Sequence, residues 1–171
     1  MGHKDRMSSS TPEALTAAVL TVSDSCARGE RTDLSGPAVA EALRKRKLSI
    51  IAKEVVADDQ SAIQKSLLRL ATNARLVVTT GGTGIAKRDV TPEATKAICD
   101  RLLEGVAERM RAEGAKKTPF AALSRAVCGI HGKSLILNLP GSPRGAVESL
   151  EAVIDMLPHA LQLLSGNTEH S

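Results

Sequence analysis

Residues 74–95 read ARLVVTTGGTGIAKRDVTPEAT, and the order of features in this stretch decides the fold. Leu76, Val77 and Val78 are apolar and largely β-branched. Thr79, Thr80, Gly81, Gly82, Thr83 and Gly84 follow, the pattern of a buried strand that ends in a loop of exposed backbone. Thr91, Pro92 and Glu93 supply an N-cap, a first-turn proline and an early acid, so a helix is predicted to begin at Thr91. The loop between strand and helix carries the candidate chemistry. Glycine lets backbone N–H groups approach an anion closely. Lys87 and Arg88 can neutralise phosphate, and the carboxylate of Asp89 can hold a magnesium ion between phosphate groups. Two familiar phosphate loops do not fit. Counting a P-loop from Gly81 reaches Ala86, Lys87 and Arg88, with no hydroxyl for the metal, and a dinucleotide fingerprint from Gly82 meets Lys87 where its third glycine belongs. Gly-Gly-Thr-Gly taken alone fits an ordinary βα turn equally well.

Working outward, Ala17 to Val22 reads as a first, central strand ending in Ser23, Asp24 and Ser25. In open parallel sheets ligands lie outside the carboxyl ends of strands, so this loop and the glycine loop are predicted to share a binding edge. Ser35 fits a helix cap, and Pro37 to Lys47 has an apolar helical face built from Val39, Ala40 and Leu43. A β-branched run from Ser49 to Val56 leads into Asp58 and Asp59, which fit an acidic helix cap before an amphipathic helix through about Leu70. Ala94, Ile98, Leu102, Val106 and Met110 predict one helix from Thr91 to about Arg111. Ala126 to Pro140 reads as a hairpin about His131, Gly132 and Lys133. Pro140, Gly141 and Ser142 then form a second phosphate-capable loop, equally readable as a structural turn, before a helix from about Gly145 to Leu164. The expected architecture is α/β in three layers: a mostly parallel sheet, helices on both faces and an added antiparallel hairpin.

A chain of 171 residues suits one well-buried core. Its 23 Lys and Arg against 19 Asp and Glu give +4, which suits polyanionic small molecules without demanding nucleic acid. Phe120 is the only aromatic residue, so the stacking platforms of single-strand binders are missing, and Arg44 to Lys47 reads as a solvated helix end. Cys26, Cys99 and Cys128 are odd in number and too irregularly spaced for zinc, from which a reducing, cytoplasmic setting is expected. His159 has no partner histidine at metal spacing. No apolar stretch approaches the roughly 20 residues of a membrane span, and residues 1–15 read as a disordered lead-in, with a polar tail at 167–171.

GGTGIAKRDVTPEAT at 81–95 resembles the signature of the molybdopterin-binding family, with its best likeness to molybdopterin adenylyltransferases of the MogA type and the gephyrin G domain. LTVSDSCARGERTDLSG, TPFAALSRAVCGIHGKSLILNLPGSPRGAVES and LPHALQLLSG are also similar, so the likeness runs from about Thr16 to Gly166. The resemblance implies a molybdenum-cofactor enzyme that joins AMP from ATP to the terminal phosphate of molybdopterin, with magnesium, and releases pyrophosphate. It also implies a homotrimer and a molybdenum insertase acting next. By motif, Asp58 and Asp89 match the catalytic and metal-holding acids; Ala57 stands where relatives of Asp58 usually have a preceding proline. Gly81, Gly82, Thr83, Gly84, Ser124, Pro140, Gly141 and Ser142 match the pterin side. Ser23, Asp24 and Ser35 fall on the nucleotide side, joined by the cationic pair Lys87 and Arg88. Two other classes share these features: a MoaB-like protein that binds or scaffolds molybdopterin without turnover, and a CinA-like nucleotide pyrophosphatase. Retained Asp58 and Asp89 argue against the first, and the complete TVSDS, RDVTPEAT and LPGSP set argues against the second.

Overall fold

The computed structural model describes residues 15–166, so nearly all of the expected lead-in, and the tail, lie outside the described residues. In chain order come β1 (Thr16–Val22), α1 (Asp24–Ala27), α2 (Ser35–Lys45), β2 (Ser49–Val56), α3 (Gln60–Asn73) and β3 (Leu76–Thr80). Then follow α4 (Thr91–Ile98), β4 (Arg101–Leu102), α5 (Glu104–Ala115), a 3-10 turn at Pro119–Leu123, β5 (Cys128–His131) and β6 (Ser134–Leu139). The chain closes with α6 (Pro143–Val153), a 3-10 turn at Ile154–Met156 and α7 (Leu157–Leu164).

Six strands form one sheet in the order β2-β1-β3-β6-β5-β4. The first four run parallel, while β5 pairs antiparallel with β6 and with β4. β1 is interior, but β3 and β6 hold the middle. Strand alternation sends Ala17, Val19, Leu76, Val78, Leu135 and Leu137 to one face, where α2, α5, α6 and α7 pack. Ala18, Leu20, Val22, Val77 and Ile136 point to the other, against Ile63 and Leu67 of α3 and Ala94 of α4. The three-layer mixed sheet with a hairpin is therefore the observed architecture. Because both faces are covered, β3 is buried along its whole length, which is why its sequence is a continuous apolar and threonine run rather than an alternating one.

Four expectations change. The helix expected over 91–111 is two helices. Arg101 and Leu102 leave the helical path to pair antiparallel with Ile130 and Gly129, and Asp100 N–H donates to the Ile130 carbonyl at 2.7 Å. Gly129 permits this turn, since any side chain there would collide with Cys99 Sγ. The helix expected over 145–164 breaks at Ile154–Met156, just before Pro158, whose ring cannot continue it. Thr91 is the first helical residue of α4 rather than its cap; Val90 occupies the cap with no side-chain bond. Ser35 likewise opens α2 from inside, and Asp33 Oδ1 accepts from the Gly36 N–H at 3.0 Å in its place.

Candidate active site

Parallel pairing of β2, β1, β3 and β6 brings the loops after Val56, Val22, Thr80 and Leu139 to one edge of the sheet, and hydrogen bonds between the loops fix them there. Ser23 N–H donates to the Val56 carbonyl at 2.9 Å, and Ser23 Oγ caps α1 by accepting from the Cys26 N–H at 3.3 Å. Asp24 N–H donates to Asp58 Oδ2 at 2.9 Å while Asp58 N–H donates to Asp24 Oδ1 at 2.8 Å. The cap of α3 is Asp59, which accepts from the Ala62 N–H at 2.8 Å, so the two adjacent acids divide the work and Asp58 is left facing the edge. Ser35 is buried, its hydroxyl turned toward Asp33 Oδ1. Asp33 Oδ2 also accepts from Thr21 Oγ1 at 2.7 Å, so the Asp-x-Ser-Gly segment anchors α2 to the end of β1.

The glycine loop is held from several sides. Gly81 N–H donates to the Leu139 carbonyl at 3.0 Å, and Thr80 Oγ1 donates to the Pro140 carbonyl at 2.7 Å, which seats this loop against the Pro140–Ser142 loop. Gly81 and Gly82 take φ of +104° and +69°, which L side chains rarely adopt. Thr91 closes the loop from the helix side: its hydroxyl donates to the Gly81 carbonyl at 3.0 Å and its N–H to the Gly82 carbonyl at 3.1 Å. A Cβ built on Gly82 would collide with Thr91 Oγ1 and stand 3.4 Å from Asp58 Oδ1, so the glycine is also what brings the loop beside that carboxylate. Thr83 is buried, whereas Lys87 and Arg88 are exposed and form no ion pair among the described residues. Asp89 folds back on its own loop, its Oδ2 accepting from the Ala86 N–H at 3.0 Å.

Electrostatics mark Asp58. Burial pushes its carboxyl above the ordinary range; the bond from the Asp24 N–H opposes this, the negative charge of Asp24 adds to it, Arg88 opposes and Asp89 adds. Asp58 and Asp89 each use one carboxylate oxygen on a backbone N–H and leave the other available. Among the described residues no three His, Cys, Asp or Glu side chains gather around one point. That donor set fits a cation bound through one or two carboxylates and completed by phosphate oxygens and water, the usual habit of magnesium, better than an all-protein cage.

Of the residues that the resemblance puts on the pterin side, Ser124, Pro140 and Ser142 border a different space, whereas Gly81, Gly82, Thr83, Gly84 and Gly141 do not line it. A cavity of about 480 Å³ lies between α5, the 119–123 turn, α6 and the end of β6, lined by Met110, Arg111, Phe120, Ser124, Pro140 and Ser142 among others. Ser142 also caps α6 by accepting from the Gly145 N–H at 3.1 Å, the structural role that its place before the helix allows. A second cavity of about 480 Å³ lies on the other side of the 124–126 segment, against Lys96, Glu104 and Arg125. Asp24, Asp58 and Asp89 line neither cavity; the first carries Glu113, Glu148 and Glu151 beside Arg111 and Lys117, and the glycine loop reaches it through the bonds of Gly81 N–H and Thr80 Oγ1 to the Leu139 and Pro140 carbonyls. Sequence reading missed Arg125 and Asn138. Arg125 reaches the glycine loop from 36 to 41 positions away, and fully buried Asn138 donates to Thr79 and Thr95 at 3.0 Å each. Neither long-range target leaves a local pattern.

Residues 18–159 match the family model "Probable molybdopterin binding domain". The chain is 46% identical over 153 residues to the molybdopterin adenylyltransferase of Helicobacter pylori strain J99, covering 87% of each chain. It is 38% identical over 168 residues to that of Escherichia coli K12, covering 89% of this chain and 86% of that one. The crystal structure of the molybdopterin biosynthesis enzyme MoaB from Thermus thermophilus superposes with a TM-score of 0.84 at 51% identity, covering 89% of this chain and 97% of the other. No helix among the described residues is long and apolar enough to cross a membrane. Matched over most of its length by family, relatives and fold, and carrying its glycine loop where those strands end, the chain belongs to the molybdopterin-binding domain family.

Proposed function

We propose that the chain is a molybdopterin adenylyltransferase of molybdenum cofactor biosynthesis, joining AMP from ATP to the terminal phosphate of molybdopterin and releasing pyrophosphate. One observation carries the reading: the recessed loop and cavity at Ser124 and Pro140–Ser142 and the carboxylates Asp24, Asp58 and Asp89 meet across a single glycine loop at one sheet edge. Both substrates are polyanions, and this edge offers each its own half. The named relatives support the assignment.

In this mechanism a phosphate oxygen of molybdopterin attacks the α-phosphorus of ATP, and the bond from that phosphorus to the bridging oxygen of the β-phosphate breaks. The attacking phosphate is already ionised near neutral pH, so no strong base is required. The work is alignment and charge control. Gly81 to Gly84 present backbone around the phosphates, Ser124 and Pro140, Gly141 and Ser142 hold the pterin side, and Ser23, Asp24 and Ser35 define the nucleotide side. Lys87 and Arg88, exposed and without ion-pair partners among the described residues, offer charge to the triphosphate. Asp58 and Asp89 are the residues that would hold magnesium, which when bound neutralises phosphate charge at the edge. The working assembly in this reading is a cytoplasmic homotrimer whose product passes to a molybdenum insertase.

The test is mass spectrometry of molybdopterin incubated with the protein, ATP and magnesium, where an added adenylyl group with equimolar pyrophosphate is expected. Binding without that product would favour a MoaB-like holding protein, and nucleotide cleavage without pterin would favour a CinA-like pyrophosphatase.

A further inference from the structure

Arg125 follows Ser124, the serine that lines both cavities, and its side chain, which borders the second of them, reaches the glycine loop. Its backbone N–H donates to the Thr83 carbonyl at 2.8 Å, Nε to the Gly84 carbonyl at 2.7 Å and Nη2 to the Asp89 carbonyl at 2.6 Å, while Nη1 meets the Glu93 carboxylate. Among the described residues, the hydrogen bonds that join residues 83–89 to the rest of the fold all come from Arg125. The other bonds inside this loop are local, between Ala86 and Asp89. Without Arg125 the segment that carries Lys87, Arg88 and Asp89 would be tethered only at its ends. The planar fork matters, because two carbonyls on opposite ends of the loop are reached at once from one guanidinium; a lysine ammonium is a single point on a flexible stem. The side chain is 37% exposed and its hydrogen bonds go to Gly84, Asp89 and Glu93, so it organises the loop and not the core.

We propose that Arg125 is a positioning residue for AMP transfer: it fixes the 83–89 loop, and with it the Asp89 carboxylate, at a set place relative to the Ser124 wall of the pterin-side cavity. This rests on the reading of the reaction given above. It touches the loop backbone and acts through Asp89 rather than on the reacting atoms.

The experiment compares wild type, Arg125→Lys and Arg125→Gln, each also in an Asp89→Asn background, by steady-state AMP transfer, thermal melting and limited trypsin digestion with the cut sites mapped by mass. In Arg125→Lys, kcat is expected to fall about 10- to 100-fold, the usual loss when an outer partner of a working group is removed. KM for molybdopterin should stay within about threefold, because the interaction lost matters to transfer and not to binding. Trypsin cutting after Lys87 and Arg88 should accelerate strongly, while cutting after Lys47, outside the loop, should not. In the Asp89→Asn background the Arg125 changes should lower kcat far less than they do in wild type, since the carboxylate is gone and only Lys87 and Arg88 remain to be displaced. Unchanged cutting at Lys87 and Arg88, a kcat near wild type, losses that multiply with Asp89→Asn, or faster cutting at Lys47 as well would each overturn the proposal. If Arg125→Gln does not fold, Arg125→Lys alone decides by the same criteria. A wild type that transfers no AMP overturns the reading of the reaction and this proposal with it, whereas an active wild type with an unaffected Arg125→Lys overturns the proposal alone.

Discussion

Asp24 and Asp58 hold each other by exchange: each backbone N–H donates to the other's carboxylate, at 2.9 and 2.8 Å. The exchange locks the loops after β1 and β2 together and sets two negative charges side by side. Folding therefore works against ionised Asp58, whose carboxyl is raised by burial above all. Because the folded value lies above the unfolded one, this group's contribution to stability is full below the ordinary carboxylate range and is lost as pH rises through the raised value. At neutral pH, Asp58→Asn should match or exceed the wild-type Tm, since the amide oxygen can still accept from the Asp24 N–H. The difference should shrink toward acid. AMP transfer should fall by about 100-fold or more, as when a preorganised electrostatic group is removed. Melting curves from about pH 4 to about pH 8, across the carboxylate range, check the sign; a variant less stable at neutral pH would show that the ionised pair supports the fold.

Asp89 makes no ion pair with Arg88 among the described residues; its carboxylate accepts from the Ala86 N–H instead. An amide oxygen can replace that acceptor, so Asp89→Asn should fold with a Tm near wild type and bind molybdopterin. Its transfer rate at saturating ATP and magnesium should drop by about two orders of magnitude or more. Near-wild-type transfer would remove Asp89 from the mechanism and leave Asp58 as the acid at this edge.

The glycines separate by geometry. A Cβ at Gly84 would stand 2.8 Å from Asp89 Oδ2 with no positive φ to strain, so Gly84→Ala should displace that carboxylate and lower transfer more than stability. Gly82→Ala meets φ +69° and the Thr91 hydroxyl together, and should cost about 1 to 3 kcal/mol of stability besides weakening molybdopterin binding. Urea unfolding and binding measured on both variants would expose the contrast; equal stability losses would contradict it.

Thr91 is fully buried and its hydroxyl serves the Gly81 carbonyl. Thr91→Val keeps the shape and removes the donor, leaving that carbonyl short of a partner, at an expected cost of about 1 to 3 kcal/mol. Amide exchange should quicken in residues 81–84 beyond the global change. A loss confined to overall stability would mean that the hydroxyl does not hold the loop.

Much of this was legible locally. The β2 limits at Ser49 and Val56, the burial of Leu76 to Val78 and the hairpin about Gly132 all follow from β-branching and turn residues, which act over a few positions. The break between α4 and α5 was not. Ala94, Ile98, Leu102, Val106 and Met110 keep helical spacing straight through it, and the cause, pairing with Gly129 and Ile130, lies almost thirty residues away. Loop residues with chemical side chains were legible in the same sense, but the exchange between Asp24 and Asp58 and the grip of Arg125 join positions 34 to 41 residues apart. Ala57 before Asp58 gives that loop no stiffening of its own, and the reciprocal bond supplies a restraint which no local pattern announces.

The place of β6 between β3 and β5 bears on when the site comes into being. β6 is the last strand to be synthesised, yet Leu139 and Pro140 supply the carbonyls that receive Gly81 N–H and Thr80 Oγ1. A growing chain can pair β1, β2 and β3 while the ribosome is still far from residue 134, but its glycine loop then has no acceptors on that side. Parallel pairing across such separations is a slow, late event. Completion of the sheet and maturation of the glycine loop are thus one step in the life of the chain, and a nascent fragment with half its sheet in place lacks the finished loop.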